Sequence, residues 1–250
     1  MIIIKKKEEI RRMARACDIV VKALNAIKMA VRPGVSTGEL EKIAQEVIMS
    51  EGGSPTFKGY RGYPACLCAS VNDEVVHGIP SMEKRLGDGD ILSVDIGVTY
   101  KGWIGDAAIT MGVGSVSDNA RRLMETTREA LHVGVNEARP GRRLTDISHA
   151  IQTFVESRGY SVVRAFVGHG VGRSLHEEPQ IPNFGPPGKG PVLRPGMTLA
   201  IEPMVNEGAY HVVIDKDGWT ARTKDGSLSA HFEHTVLVTE NGPEILTKWE

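Results

Sequence analysis

The chain repeats itself at a constant offset of 107 residues, and this restricts its fold more than any other feature. Arg32-Pro33-Gly34, Glu39-Leu40, Gln45 and Ser50-Glu51-Gly52 lie over Arg139-Pro140-Gly141, Asp146-Ile147, Gln152 and Ser157-Arg158-Gly159. The same offset lays residues 88–95 over residues 195–202, so that Asp95 falls on Glu202. An R-P-G tripeptide after a helix is common punctuation. One offset shared by two separated segments argues instead for a duplication, with halves at approximately residues 1–114 and 115–250.

Within each half, two helical stretches precede the strands. Ile10, Met13, Cys17, Val20, Val21 and Leu24 recur every three to four residues, which predicts a helix over residues 8–30. Ser36-Thr37-Gly38-Glu39 has the spacing of a capping box, and Gly52-Gly53 ends the helix it opens. Helices over 123–138 and 145–157 repeat the pair. Strands are expected over 91–95, 103–111, 198–201, 211–214, 219–223 and 232–239, with Asp217-Gly218 as a hairpin turn. Helices grouped before strands indicate an α+β fold: antiparallel sheet flanked by helices, with pseudo-twofold symmetry.

With 41% hydrophobic and 24% charged residues, a chain of 250 residues can bury a sizeable core. Its net charge of -1 carries no global footprint for nucleic acid or anionic membrane. The apolar start Met1-Ile2-Ile3-Ile4 gives way at once to Lys5-Lys6-Lys7, too short a run for a signal peptide or a membrane span. A cytoplasmic protein without membrane association is expected. Cys17, Cys66 and Cys68 lack C-x-x-C spacing, which disfavours a disulfide framework or a zinc ribbon.

Asp95 in SVDIG, Asp106 in GDAAIT, His169 in GHGVG, Glu202 in AIEPM and Glu233 in FEHT form a hard, oxygen-rich ligand set. Such a set suits two divalent first-row ions sharing carboxylates. Paired ions about 3.5–4 Å apart serve phosphatases, nucleases and aminopeptidases, so the residues point to a hydrolase. If Lys101-Gly102 is a two-residue hairpin loop, Asp95 lies opposite Ala108 and Asp106 points to the same face. Diagonal neighbours of this kind sit roughly 7–8 Å apart, near enough to converge on ions between them.

Other chemistries fit less well. Gly168-His169-Gly170-Val171-Gly172 does not match G-x-G-x-x-G, and its glycines are expected to let the backbone pass close to a metal or substrate. His176-Glu177-Glu178-Pro179 lacks the second histidine of H-E-x-x-H. No G-x-S-x-G nucleophile elbow is expected, which leaves a serine hydrolase little support. His77 and His176 lie in Gly/Pro-rich surroundings from which a loop can present them to a pocket, and Trp219, Tyr60 and Tyr63 are candidates to line it. His132, His149, His211, His231 and His234 are read as structural. His231 shares strand parity with Glu233, which leaves a role behind the metal ligands open.

The motifs VVHGIP, SVDIG, GDAAIT, GHGVGRSLHEEP, LAIEPM and SLSAHFEHT together resemble the type I methionine aminopeptidases of the compact bacterial kind, over nearly the whole chain. The resemblance implies the pita-bread fold, as a single catalytic domain over residues 1–250. It implies that Asp95, Asp106, His169, Glu202 and Glu233 hold two ions drawn from cobalt, manganese, iron, nickel and zinc, with Asp106 and Glu233 shared between them. His77 would approach the substrate near its amino end. His176 would bind the scissile carbonyl as negative charge develops there, an interaction that strengthens in the transition state. Glu202 corresponds to the residue proposed to carry a proton from the attacking water to the leaving amine.

The methionine pocket corresponds to Phe57, Tyr60, Tyr63, Cys68, His77, Leu175 and Trp219. Phe57 stands where a cysteine is frequent, and Leu175 where a phenylalanine is. The implied reaction is removal of the initiator methionine from nascent chains and peptides whose second residue is small. A monomer is expected, with Lys5-Lys6-Lys7 and Arg11-Arg12 available for transient ribosome contact or, more simply, forming a solvated face. Three rivals stay open at this point: a proline-specific peptidase on the same fold, a non-catalytic binding protein, and a two-metal phosphoesterase.

Overall fold

Helix α1 (Lys7–Ala30) buries Met13, Cys17, Val20, Leu24 and Ile27 along one stripe and packs it on a long hairpin of strands Ile91–Tyr100 and Trp103–Gly112. The computed structural model describes residues 1–249. Gly105 makes this docking possible, since a Cβ there would lie 2.6 Å from the backbone nitrogen of Cys17. The helix thereby rests on the strand one residue before Asp106. Helix α2 (Thr37–Ser50) packs beside α1, and α3 (Asp118–Glu137) pairs with α4 (Leu144–Glu156) in the other half.

The expected capping box is present. Ser36 Oγ accepts the N–H of Glu39 at 3.2 Å, and the Glu39 carboxylate accepts the N–H of Ser36 at 2.8 Å. Gly34-Val35-Ser36-Thr37-Gly38 does carry G-x-S-x-G spacing, contrary to expectation. Its serine is fully buried and its hydroxyl is engaged with Glu39, so it serves the helix and not a substrate. Helix α3 starts five residues earlier than the expected 123, because Ser117 caps it through the N–H of Ala120 at 3.1 Å.

Two antiparallel sheets carry the framework. In the first, Ile91–Tyr100 pairs with Ser54–Pro55, Cys68–Val71 and Trp103–Gly112. In the second the order is Gly242–Ile245, His234–Thr239, Thr198–Ile201, Gly168–Gly170, Glu177–Ile181. Two three-stranded sheets complete the architecture, one joining Ser229–His231, Met204–Asn206 and Ser161–Val162, the other Val212–Ile214, Ala221–Thr223 and Glu74–Val76. The mixture of helices and antiparallel sheet is the α+β architecture expected.

The repetition in sequence reappears as repeated contacts. The isolated bridge Ser36↔Arg85 recurs 107 residues on as Arg143↔Val192. The bonds Gly34 N–H to Leu86 O and Leu86 N–H to Val35 O recur as Gly141 N–H to Leu193 O and Leu193 N–H to Arg142 O. Gly34, Gly89, Gly141 and Gly196 all have positive φ at these matched positions.

Several expected strands are corrected. The run over 91–95 extends to Tyr100, and those over 211–214 and 219–223 contract to Val212–Ile214 and Ala221–Thr223. The run over 232–239 contracts to His234–Thr239, and a separate strand, Ser229–His231, precedes it in a different sheet. Between them Phe232 N–H turns to Pro203 O and Glu233 N–H to Ala108 O, which breaks the ladder at the candidate ligand. The glycines of Gly168–Gly170 also act differently from expectation. Added Cβ atoms would collide with the carbonyl oxygens of Ala200 and Glu178, so the close approach is to neighbouring strands. Lys5, expected on a solvated face, is only 5% exposed. Among the described residues, no helix is long and apolar enough to cross a membrane.

Candidate metal centre and substrate cavity

The hairpin turn that sets the site is the two-residue loop expected, with Lys101 at φ 48 and Gly102 at φ 76. Positive φ at both positions matches the right-handed twist of the flanking strands. The resulting register places Asp95 opposite Ala108 and Asp106 opposite Gly97. His169 comes from the strand beside Ala200, and Glu202 directly follows Thr198–Ile201. Glu233 occupies the break between two strands.

The two halves are stitched together beneath these side chains by reciprocal bonds. Thr235 Oγ1 accepts the N–H of Asp106 at 3.1 Å and donates to its carbonyl at 2.8 Å. Thr110 Oγ1 does the same for His231, at 2.8 Å in each direction. Glu233 N–H to Ala108 O, at 2.9 Å, lies midway. Exchange of the halves therefore swaps Asp106 with His231 and Thr110 with Thr235. His231 occupies in the second half the position that Asp106 holds in the first.

Asp106, His169 and Glu233 bring ligand atoms within 4.8 Å of one another. His169 Nε2 stands 3.8 Å from Asp106 Oδ2 and 3.5 Å from Glu202 Oε1. Its Nδ1 faces the carbonyl of Gly170 at 2.9 Å, which favours the proton on Nδ1 and leaves the Nε2 lone pair toward the acids. Asp95 lines the same cavity. Asp95 Oδ1, Asp106 Oδ1 and Glu233 Oε1 are buried with no hydrogen-bond partner among the described residues. Buried carboxylate oxygens without partners are costly, and a cation resolves the cost.

The electrostatics agree. Burial pushes Asp95 up to about 7 and Glu202 up to about 8. Asp106 and Glu233 are raised well above the usual carboxylate range by burial and then by the neighbouring acids. Burial lowers His169 to about 3, so the ring is neutral and able to ligate. A cluster of acids that resists ionisation by itself is the environment a divalent cation would neutralise.

Above the acids opens a cavity of about 340 Å³. Phe57, Tyr60, Tyr63, Cys68, Leu175 and Trp219 all line it, together with His77 and His176. The Tyr63 hydroxyl, between the carbonyls of Leu67 and Gly78 at 3.1 Å each, fixes its ring edge-on to Trp219. His77 has φ 62, a strained backbone for a residue with a Cβ, and its ring stands edge-on to Phe166. Burial lowers it to about 4. His176 Nδ1 is 2.7 Å from the Tyr60 hydroxyl, and its ring lies 4.3 Å from that of His169.

Arg61, Phe166, Met204 and His231 also line the cavity and were not singled out as pocket residues. For His231 this corrects the reading of a structural histidine. Its ring is 2% exposed, its Nε2 has no hydrogen-bond partner among the described residues and it stands 3.5 Å from Glu202 Oε2. Its strand parity with Glu233 was the available signal. Nothing local in the sequence marks Phe166 or Met204. His132, His149, His211 and His234 do not line the cavity.

The family model described as metallopeptidase family M24 matches residues 11–240. The methionine aminopeptidase of Clostridium acetobutylicum is 51% identical over 250 residues, covering all of both chains. A crystal structure of methionine aminopeptidase from Thermotoga maritima superposes with a TM-score of 0.98 at 53% identity, covering 99% of this chain and 100% of that one. The prolidase from Pyrococcus furiosus superposes with a TM-score of 0.81 at 29% identity, covering 99% of this chain and 66% of the prolidase.

Proposed function

This chain belongs to metallopeptidase family M24 and, within it, to the methionine aminopeptidases of the pita-bread fold, and from that premise we propose that it removes the N-terminal methionine of peptides and nascent proteins whose second residue is small. The carrying observation is the floor of the cavity. Five side chains of ligand type converge there beneath an aromatic wall, and three of their buried oxygens lack any partner among the described residues.

Asp95, Asp106, His169, Glu202 and Glu233 would hold two divalent ions. Ions so bound supply Lewis acidity, lowering the pKa of water and polarising a carbonyl. The remaining work falls to the chain. Phe57, Tyr60, Tyr63, Cys68, Leu175 and Trp219 form an apolar, aromatic slot suited to a polarisable thioether. Fixed rings lower the entropy lost when the side chain enters. His77 meets the substrate near its α-amino group, held in its strained backbone between Phe166 and Trp219.

With Tyr60 donating to Nδ1, the His176 proton sits on Nε2, free to donate to the scissile carbonyl as its oxygen gains charge. Glu202, beside His169 and His231, accepts a proton from the attacking water and returns it to the leaving amine. The acids and the loops around the floor crowd the second side chain, which sets the preference for a small one. The enzyme works as a cytoplasmic monomer on chains emerging from the ribosome, with Lys6, Lys7, Arg11 and Arg12 exposed for transient contact.

The test is to strip the protein with chelator, restore manganese, cobalt, iron, nickel or zinc separately, and measure free methionine from Met-Ala-Ser beside Met-Lys-Ser and Ala-Pro-Ser. Metal-dependent release from Met-Ala-Ser alone is expected, at two bound ions per chain. Turnover of Ala-Pro-Ser instead would make the chain a proline-specific peptidase. No release with any metal would end the peptidase reading.

A further inference from the structure

We propose that Lys5 is a positioning residue for the loop that carries Leu175 and His176, and that it acts through Glu177. Lys5 Nζ lies 2.6 Å from Glu177 Oε2 across 172 residues of sequence, with the two side chains only 2% and 7% exposed. The other carboxylate oxygen faces back into the loop. Glu177 Oε1 accepts the backbone N–H of Arg173 at 2.8 Å and of Ser174 at 3.3 Å, so one carboxylate closes the turn from which Leu175 and His176 project. The loop is tied at its start as well, where Gly172 O accepts the N–H of Ile104, two residues before Asp106 in the hairpin.

The N-terminal segment is built into this arrangement. Lys5 N–H donates to Gly196 O at 2.8 Å, and Nζ also reaches Ile3 O at 3.3 Å. Two glycines leave space for the strap. A Cβ at Gly172 would lie 2.7 Å from Lys5 Cε and 2.5 Å from Glu177 Oε1, and one at Gly196 would lie 2.6 Å from Ile4 Cγ2. Both glycines therefore have a packing reason that concerns the strap and not the cavity.

The Lys5 ammonium offsets the desolvation of a carboxylate this buried. The same carboxylate makes charge-assisted bonds to the Arg173 and Ser174 N–H groups. Lys5 thus fixes the loop, and the loop fixes His176 against Tyr60 at 2.7 Å. Lys5 touches neither the substrate nor the acids on the cavity floor. Its effect on the chemical step is transmitted by placement of His176.

This inference rests on the peptidase reading of His176, and the two fail separately. Absence of methionine release by the unaltered, metal-restored enzyme would sink that reading without touching the clasp, which backbone amide exchange over residues 172–177 reports independently. The experiment compares Lys5→Met and Lys5→Arg, each alone and combined with His176→Ala. It measures metal content, Tm, amide exchange, and kcat and KM on Met-Ala-Ser.

Lys5→Met is expected to speed exchange in the loop, keep both metals, and lower kcat by about 10- to 100-fold with little change in KM, as for a misplaced catalytic group. Lys5→Arg should recover part of the loss. With His176→Ala present, Lys5→Met should lower kcat no further, because both changes act on one unit. Should Lys5→Met alone fail to fold, Lys5→Met/Glu177→Gln keeps the acceptor for the loop amides without a lone buried charge and is compared with the unaltered chain in the same two backgrounds. Equal losses with and without His176, or unaltered exchange over 172–177, would overturn the proposal.

Discussion

His231 and Lys5 show what single positions in this chain do beyond the motifs that contain them. His231 shares the neighbourhood of Glu233 in sequence, yet its geometry is set by the reciprocal bonds between Thr110 and the His231 backbone. Those bonds put an imidazole where the other half puts Asp106, with Nε2 3.5 Å from Glu202. Residues that orient metal-binding carboxylates typically contribute 10–100-fold to metal affinity. His231→Ala is therefore expected to weaken binding of manganese or cobalt by about 10- to 100-fold in chelator competition, at nearly unchanged Tm in excess metal. Unaltered affinity would return His231 to a packing role. His169, Glu202 and the two aspartates were legible because their residue types are rare in strand-like surroundings. Phe166 and Met204 were not, since an apolar residue near a cavity reads the same as one in a core.

At the scale of elements, the duplicated helix pairs provide an internal comparison. Ser36 opens α2 with a hydroxyl that accepts the Glu39 N–H. Arg143 stands at the matched position of α4, where Asp146 still accepts the Arg143 N–H at 2.9 Å but the guanidinium cannot accept in return. Ser36→Ala should cost about 0.5–2 kcal/mol of stability, and Arg143→Ser should gain a few tenths to about 1 kcal/mol. Denaturant titration checks both, and a destabilising Arg143→Ser would show that its bond to Gly190 O at 2.9 Å outweighs the missing cap. Long elements with a period were predictable, as α1 and the hairpin at Lys101-Gly102 show. Short strands such as Gly168–Gly170 and Met204–Asn206 were not, because three residues cannot display a period and glycine has no strand preference.

At the scale of the whole molecule, the acids that bind metal oppose the stability of the chain without it. Asp95 and Glu202 keep protons in the native state up to about 7 and about 8, whereas the unfolded chain releases them near pH 4. Native protein binds more protons in that window, so stability falls as pH rises through it. His169 and His77, lowered to about 3 and about 4, work oppositely, since only the unfolded chain protonates them below about pH 6.5. Between pH 6.5 and 8 the histidines no longer contribute and the acids act alone. Chelator-treated protein should lose Tm steadily across that interval, and restoring manganese should flatten or reverse the trend. A Tm that rises over the same interval after chelation would contradict the burial of these acids.

Everything governed by near neighbours was determined by the sequence alone: the helical stripes, the Ser36 cap, the two-residue turn and the strand alternation that aims Asp95 and Asp106 at one face. The repeat at 107 residues belongs with them, because equal segments obey equal local rules. The tertiary structure alone decided how the halves meet. Convergence of Asp95, Asp106, His169, Glu202 and Glu233, the entry of His231, and the burial of Lys5 against Glu177 all depend on contacts between segments far apart in the chain. Such contacts arise from the packing of whole surfaces, which no periodicity within one segment encodes.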